Sequence, residues 1–104
     1  MVKKVLIDLD GVLHRANKGF ADGTLYDKPM PKARYSVEKL IEKGWEVVVF
    51  TARTQDQWPA VYEWLDKYNF PKMRITNIKE PARFYIDNRA VRFTNWEDVI
   101  YYLI

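Results

Sequence analysis

Val5-Leu6-Ile7-Asp8-Leu9-Asp10-Gly11 is the stretch that decides the fold. Three apolar residues, two of them β-branched, stop abruptly at a charge, which reads as a buried central strand over about residues 3–9. A strand that is apolar on both sides must be covered on both sides. The rest of the chain supplies helices and strands in alternation. Downstream, residues 14–30 hold Gly19, Gly23 and Pro29 among polar residues and read as a loop or small flap. A helix is expected over about 32–43, with Val37, Leu40 and Ile41 on one face and Gly44 as its stop. Trp45–Phe50 (WEVVVF) is a second buried strand.

A second helix should run from Trp58 to Tyr68, with Pro59 in its first turn and Val61, Trp64, Leu65 and Tyr68 as one apolar stripe. Met73–Thr76 and Phe84–Ile86 are short strands, the latter ending at Asp87. Ala90–Phe93 is expected as a fifth, edge strand. Thr94-Asn95-Trp96-Glu97 has the form of a capping box that opens a last helix, with Trp96, Val99, Ile100 and Leu103 on its apolar face. Helical spacing makes these aromatics core residues rather than base-stacking platforms. Alternating strand and helix predicts an α/β domain with a parallel sheet, one domain over residues 1–104, with no repeat, linker or low-complexity tract.

Composition narrows the chemistry. The chain has 104 residues, 48% hydrophobic and 30% charged, which excludes disorder as its main state. No apolar run approaches the roughly 18 residues of a membrane span. The opening Met-Val-Lys-Lys reaches charge too early for a signal peptide, so a cytoplasmic protein without membrane contact is expected. Zero Cys rules out a thiol nucleophile, a disulfide scaffold and a Cys-ligated zinc site, and one His argues against a His-rich metal site. Catalysis would have to use carboxylates, hydroxyls, Lys and Arg. The net charge of +3 is uneven: residues 67–92 hold seven basic side chains against Glu80 and Asp87, net +5, leaving −2 for the remainder. Such a segment suits an anionic ligand, phosphate or nucleic acid, or is a solvated face.

In open α/β sheets ligands bind beyond the carboxyl ends of the strands. Four such ends here carry reactive residues: Asp8-Leu9-Asp10-Gly11, Thr51-Ala52-Arg53, Lys79 after the third strand, and Asp87-Asn88-Arg89. Three crowded carboxylates, Asp8, Asp10 and Asp87, repel unless a cation lies among them, and hard oxygen donors suit Mg²⁺. With Thr51 and Lys79 to hold an anion, the set points to phosphoryl transfer. Taken singly, an Asp at a strand end is as readily a turn or cap residue.

Those motifs resemble the haloacid dehalogenase (HAD) superfamily of aspartate-nucleophile phosphotransferases along essentially the whole chain. Asp8-Leu9-Asp10-Gly11-Val12-Leu13 is similar to that family's first motif, Val47–Thr51 to its second, Lys79 to the basic residue of its third, and Tyr85-Ile86-Asp87-Asn88 to its acidic fourth. Many members have a second acid where Asn88 stands, and Asn88 can only orient a water or ligand. The resemblance implies a Rossmann-like three-layer sandwich with a mostly parallel sheet of about five strands. It implies Asp8 as nucleophile forming an aspartyl-phosphate, and Asp10 as general acid and then base. Thr51 and Lys79 would hold the phosphoryl group. Mg²⁺ would lie on the Asp8 carboxylate, the Asp10 backbone carbonyl and Asp87. The gaps from Asp10 to Thr51 and from Thr51 to Lys79 are too short for a cap domain, so an open, capless phosphatase is expected. Its substrate is a phosphorylated small molecule or, as the main alternative, a nucleotide or nucleic-acid phosphate end. A non-catalytic phosphate- or metal-binding module is the competing class. Arg53, Arg83 and Arg89 are auxiliary candidates or rim residues, His14 is expected to be a flap residue without a role, and a homo-oligomer is left open.

Overall fold

A computed structural model describes residues 3–104. Its sheet contains four parallel strands, β1 (Lys4–Asp8), β2 (Glu46–Phe50), β3 (Ile75–Thr76) and β4 (Phe84–Ile86), in the order β3-β2-β1-β4. The helices are α1 (Ala33–Glu42), α2 (Trp58–Lys67) and α3 (Trp96–Leu103), with a 3₁₀ turn at Gln55–Gln57 before α2. The segment expected as a fifth strand, Ala90–Phe93, is not part of the sheet.

Right-handed crossovers that step the same way along a sheet put their helices on the same side. Here β1-α1-β2 and β2-α2-β3 both step toward β3, and α1 and α2 share one face. Val5, Ile7, Val47, Val49 and Ile75 of that face form a single core with Val37 of α1 and Val61, Trp64 and Leu65 of α2. Register keeps these residues on one side, since Val5 pairs with Val47 and Ile7 with Val49. Leu6 and Val48 point the other way and are also buried. The helix layer expected on that second face is not seen among the described residues. Among the described residues α3 is the helix left for that face, and it buries none of its residues.

Helix ends follow local chemistry. α1 stops because Gly44 takes φ +90°, letting its N–H reach the Ile41 carbonyl while the Trp45 N–H reaches back to Leu40. α2 stops in the same way at Asn69, φ +60°, with the Phe70 N–H on the Leu65 carbonyl. The cap of α3 lies one residue later than the expected capping box. Asn95 is the N-cap, its side chain accepting the Asp98 N–H at 2.9 Å, and Thr94 and the Asn95 amide both donate to the Asp98 carboxylate.

The strand order fixes where a ligand belongs. After stepping outward through β2 and β3, the chain returns to the opposite side of β1 to form β4. Strand order thus reverses between β1 and β4, and the crevice beyond such a switch point is where open α/β sheets bind ligands. Asp8 and Asp87 stand at the carboxyl ends of those two strands.

Candidate active site

An open cavity of about 600 Å³ lies over this switch point, lined by Asp8, Asp10, Gly11, Arg53, Asn88 and Arg89, with Phe20 and Gly19 from the flap. β1 delivers Asp8, and the turn after it delivers Asp10. That turn closes with the Leu13 and His14 N–H groups on the Leu9 carbonyl and the Gly11 N–H on the His14 carbonyl. Gly11 has φ +88°, and a Cβ there would overlap the Asn88 side-chain amide. Gly11→Ala should therefore cost about 1–3 kcal/mol, from a left-handed backbone plus displacement of Asn88. Gly44→Ala, with φ +90° and open space around its Cβ, supplies the control for backbone strain alone. Urea midpoints for the two variants would be compared; equal losses would mean that the Asn88 contact contributes nothing.

Asp10 is held from three directions. Arg53 grips both of its oxygens, Nε to Oδ2 and Nη2 to Oδ1, each at 3.1 Å, with the guanidinium side chain almost wholly buried. His14 Nδ1 lies 2.9 Å from Asp10 Oδ1. The Asp27 backbone N–H points at His14 Nε2, at 3.1 Å. A backbone N–H can only donate, so Nε2 is the bare nitrogen and Nδ1 carries the hydrogen given to Asp10. The contact is a hydrogen bond from a neutral imidazole rather than an ion pair. Burial pushes the Asp10 carboxyl up, but the hydrogen bonds from Arg53 and His14 and the charge of Arg53 outweigh it, and its pKa falls below the ordinary carboxylate value.

Asp8 is the opposite case. Burial is the largest influence, Asp87 the next, and with Asp10 they raise its pKa from 3.8 to about 6, against the Leu9 N–H and Arg89, which pull it down. Asp8 and Asp10, two residues apart, are thus driven in opposite directions by their surroundings.

The flap is tied down to the same centre. Trp64 Nε1 donates to the Asp27 carbonyl at 2.9 Å, the His14 ring meets Tyr26 and Trp64 edge-on, and Arg53 donates to the Gly23 carbonyl while its guanidinium lies over the Phe20 ring. His14, expected to have no role, is buried and is the residue through which the flap, α2 and Asp10 meet. Its position four residues after Asp10, in a chain with no other His, was the available signal. Arg53 likewise proves central rather than auxiliary.

The other expected residues are distributed differently. Thr51 is buried, its hydroxyl accepting the Arg53 backbone N–H at 3.1 Å, and it sets the turn that presents Arg53 without lining the cavity itself. Lys79 belongs to a second cavity of about 500 Å³, which shares Asp8 and Asp87 with the switch point but opens on the other face of the sheet; its ammonium lies over the Tyr85 ring. Asp87 is exposed and accepts the Arg89 backbone N–H at 2.9 Å. Gln57 Oε1, at the rim of the first cavity, is buried without a hydrogen-bond partner among the described residues.

Neither a protein-family model nor a curated protein sequence matches the chain. Two solved structures do. The fold is shared. A structural-genomics target from Vibrio cholerae aligns over 96% of this chain and 95% of its own, at 29% identity and a TM-score of 0.58. A chain of a Pnkp1/Rnl/Hen1 complex aligns over 98% of this chain at 19% identity and a TM-score of 0.60; this chain spans about a third of its length, 34%. The α/β architecture with a parallel sheet is thereby supported as a known arrangement.

The donors at the switch point fit a hard divalent cation in charge. Asp8 is destabilised as an anion by burial and by Asp87, which a cation would relieve. No cluster of three acidic or His side chains close enough for a metal occurs among the described residues, and the Asp10 carboxylate is taken by Arg53. A metal here would rely on Asp8, Asp87 and backbone or water oxygens, with the Asp10 side chain outside the ligand set.

Proposed function

We propose that the chain is a Mg²⁺-dependent phosphatase, a phosphoric monoester hydrolase that works through an aspartyl-phosphate on Asp8. The observation that carries the proposal is the split of the Asp8–Asp10 pair at a topological switch point. Pairs of titratable groups whose surroundings push them apart are where acid, base and nucleophile roles are found. Asp8, beside Asp87 and an open cavity bordered by Arg89, has the position of a nucleophile. Its resemblance to the first motif of aspartate-nucleophile phosphotransferases points the same way. Mg²⁺ held by Asp8 and Asp87 would supply the charge that keeps Asp8 ionised and draws in the phosphate oxygens.

In the first step an Asp8 oxygen bonds to phosphorus while the bond from phosphorus to the leaving oxygen breaks. In the second, water attacks the aspartyl-phosphate, giving its proton to Asp10 and releasing phosphate and the Asp8 carboxylate. Asp10, held ionised by Arg53 and His14, is in the form the second step needs. The first step needs a proton on the leaving oxygen unless that oxygen departs readily as an anion. Aryl phosphates should therefore turn over faster than alkyl phosphates. Arg89, in the first cavity, and Lys79, in the second, are the cations that would meet the phosphoryl group. The deciding test is Mg²⁺-dependent hydrolysis of a generic aryl phosphate. Absence of turnover would leave the non-catalytic binding module as the better description.

A narrower reading takes nucleotide or nucleic-acid phosphate ends as substrate. The net charge of +5 over residues 67–92 and the open cavity favour it. Phosphate contacts would make binding fall steeply with salt. An oligonucleotide phosphate hydrolysed no better than a small ester would count against it.

The Asp8 carboxyl also sets a pH dependence of stability. Its folded pKa of about 6 lies above the ordinary 3.8, so the contribution is fully present below about pH 4 and is lost as pH rises through 6. In the absence of divalent metal, thermal or urea unfolding should show a loss of about 2–3 kcal/mol across that window. Asp10, with a lowered pKa, loses its contribution only at lower pH, so the two windows separate. Added Mg²⁺ should raise the unfolding midpoint more at pH 7.5 than at pH 5, and an equal rise at both would argue against Asp8 as a ligand.

A further inference from the structure

We infer that the chain pairs with a second copy of itself by exchanging α3, the helix of one copy lying on the helix-free face of the other's sheet, against the edge at Phe50 and Tyr85. From Arg83 to Ile104 no residue is buried, although the segment is rich in large apolar side chains. Trp96, Ile100 and Leu103, the stripe of α3, are 69%, 50% and 66% exposed. From Val99 to Ile104 the helix has no charged residue. A surface helix of this composition needs something to cover it.

The matching surface lies on the same molecule. On the face of the sheet opposite α1 and α2, the half-buried Phe50 and the exposed Tyr85 border the second cavity, with the buried Leu6 beneath them and Val91 at the edge, and no helix covers it among the described residues. α/β sheets need a layer on that side. Among the described residues α3 is the helix left to cover it, and its start is fixed by local contacts. Phe93 and Trp96 meet edge-on with centroids 5.5 Å apart, and Thr94 and Asn95 cap the helix through Asp98. A helix already formed and projecting outward is suited to exchange between identical copies.

The areas agree with that occupant. A compact monomer of 12.4 kDa should expose about 6,100 Å², and this chain exposes 7598 Å². Its radius of gyration is 14.6 Å against about 13 Å for a compact domain of this length. The surplus, about 1,500 Å² per copy, would give an exchanged dimer an interface of about 3,000 Å², within the range of obligate homodimers. Exchange would also close the cavity shared by Asp8, Asp87 and Lys79 from its far side, leaving the cavity at Arg53 open.

Light scattering on the full chain should give a mass near twice 12.4 kDa, and a monomer would overturn the inference. Ile100→Glu, on a helix that contributes nothing to the core, should leave the circular dichroism unchanged and yield monomers; a variant that remains dimeric would also overturn it. The chain has no cysteine, which allows a direct test of exchange. Tyr85→Cys and Ile100→Cys, made in separate chains and mixed under oxidation, should form a covalent heterodimer. Failure to do so, or cross-linking only within the doubly substituted chain, would show that α3 does not lie on a partner's sheet.

Discussion

Asp8→Asn should abolish aryl phosphate hydrolysis, by at least about 10³-fold in kcat, and at the same time make the metal-free protein more stable at neutral pH. Loss of turnover follows from removing the nucleophile, since knocking out the attacking group of a covalent mechanism removes most of its rate enhancement. Gain in stability follows from the electrostatics. Asp8 is ionised at pH 7 against the resistance of burial and of Asp87, which push its pKa up to about 6. An amide of nearly the same shape keeps the packing and removes the charge. The gain should approach about 2–3 kcal/mol at pH 7.5 and vanish near pH 4, where both forms are neutral. It should also shrink when Mg²⁺ is added to the unsubstituted protein. Measuring activity and urea midpoints on one pair of proteins tests both halves. An inactive variant with no stability gain would mean that Asp8 is not strained by its neighbours, and an active one would end its assignment as nucleophile.

Arg53→Ala should be the most damaging single change outside the hydrophobic core. It leaves the Asp10 carboxylate, half enclosed, without the two-pronged partner that holds it ionised, and it releases the Gly23 carbonyl and the Phe20 ring of the flap. Breaking a buried ion pair from one side costs about 3–5 kcal/mol. The remaining exposure of Asp10, 22% of its side chain, reduces this to about 2–3 kcal/mol. Removing both partners, Arg53→Ala with Asp10→Ala, should recover part of the loss, because no orphaned charge remains. Urea unfolding of the two single variants and the double variant gives the coupling directly. Strict additivity would show that the pair contributes nothing beyond its separate contacts.

Most of the sheet and the helix positions could be read from the sequence because the signals were local. Val5-Leu6-Ile7 and Val47-Val48-Val49 are runs that only a buried strand explains. The stripes Val37-Leu40-Ile41 and Val61-Trp64-Leu65 have helical period, and the elements fall within a residue or two of expectation. Ala90–Phe93 failed as a strand because apolar content alone does not create a neighbour to pair with, and the chain beyond β4 leaves the sheet. The helix layer expected on the second face is not seen among the described residues for a related reason: a stripe of apolar residues fixes which side of a helix is sticky, and says nothing of which sheet it will meet.

At the site, the acids were legible from their strand ends, but their supports were not. Arg53 matters through a contact across the fold, 43 residues from Asp10, that no periodicity encodes, whereas His14, 4 residues from Asp10, carried its signal in that short spacing. Lys79 and Thr51 were placed by motif order, which fixes the strand an amino acid follows but not the side of the sheet its side chain takes.

The hydrogen-bonded line from Asp10 through His14 and the Asp27 backbone to the Trp64 indole ends in a buried fluorophore. Of the four tryptophans, this is the one sealed beneath the flap, so its emission should be blue-shifted and sensitive to the imidazole against its edge. Opening of residues 14–30, or any ligand that pulls on Asp10, would then be visible as a colour and intensity change without a label. The protein has, in effect, its own optical gauge of whether the mouth of the cavity is shut.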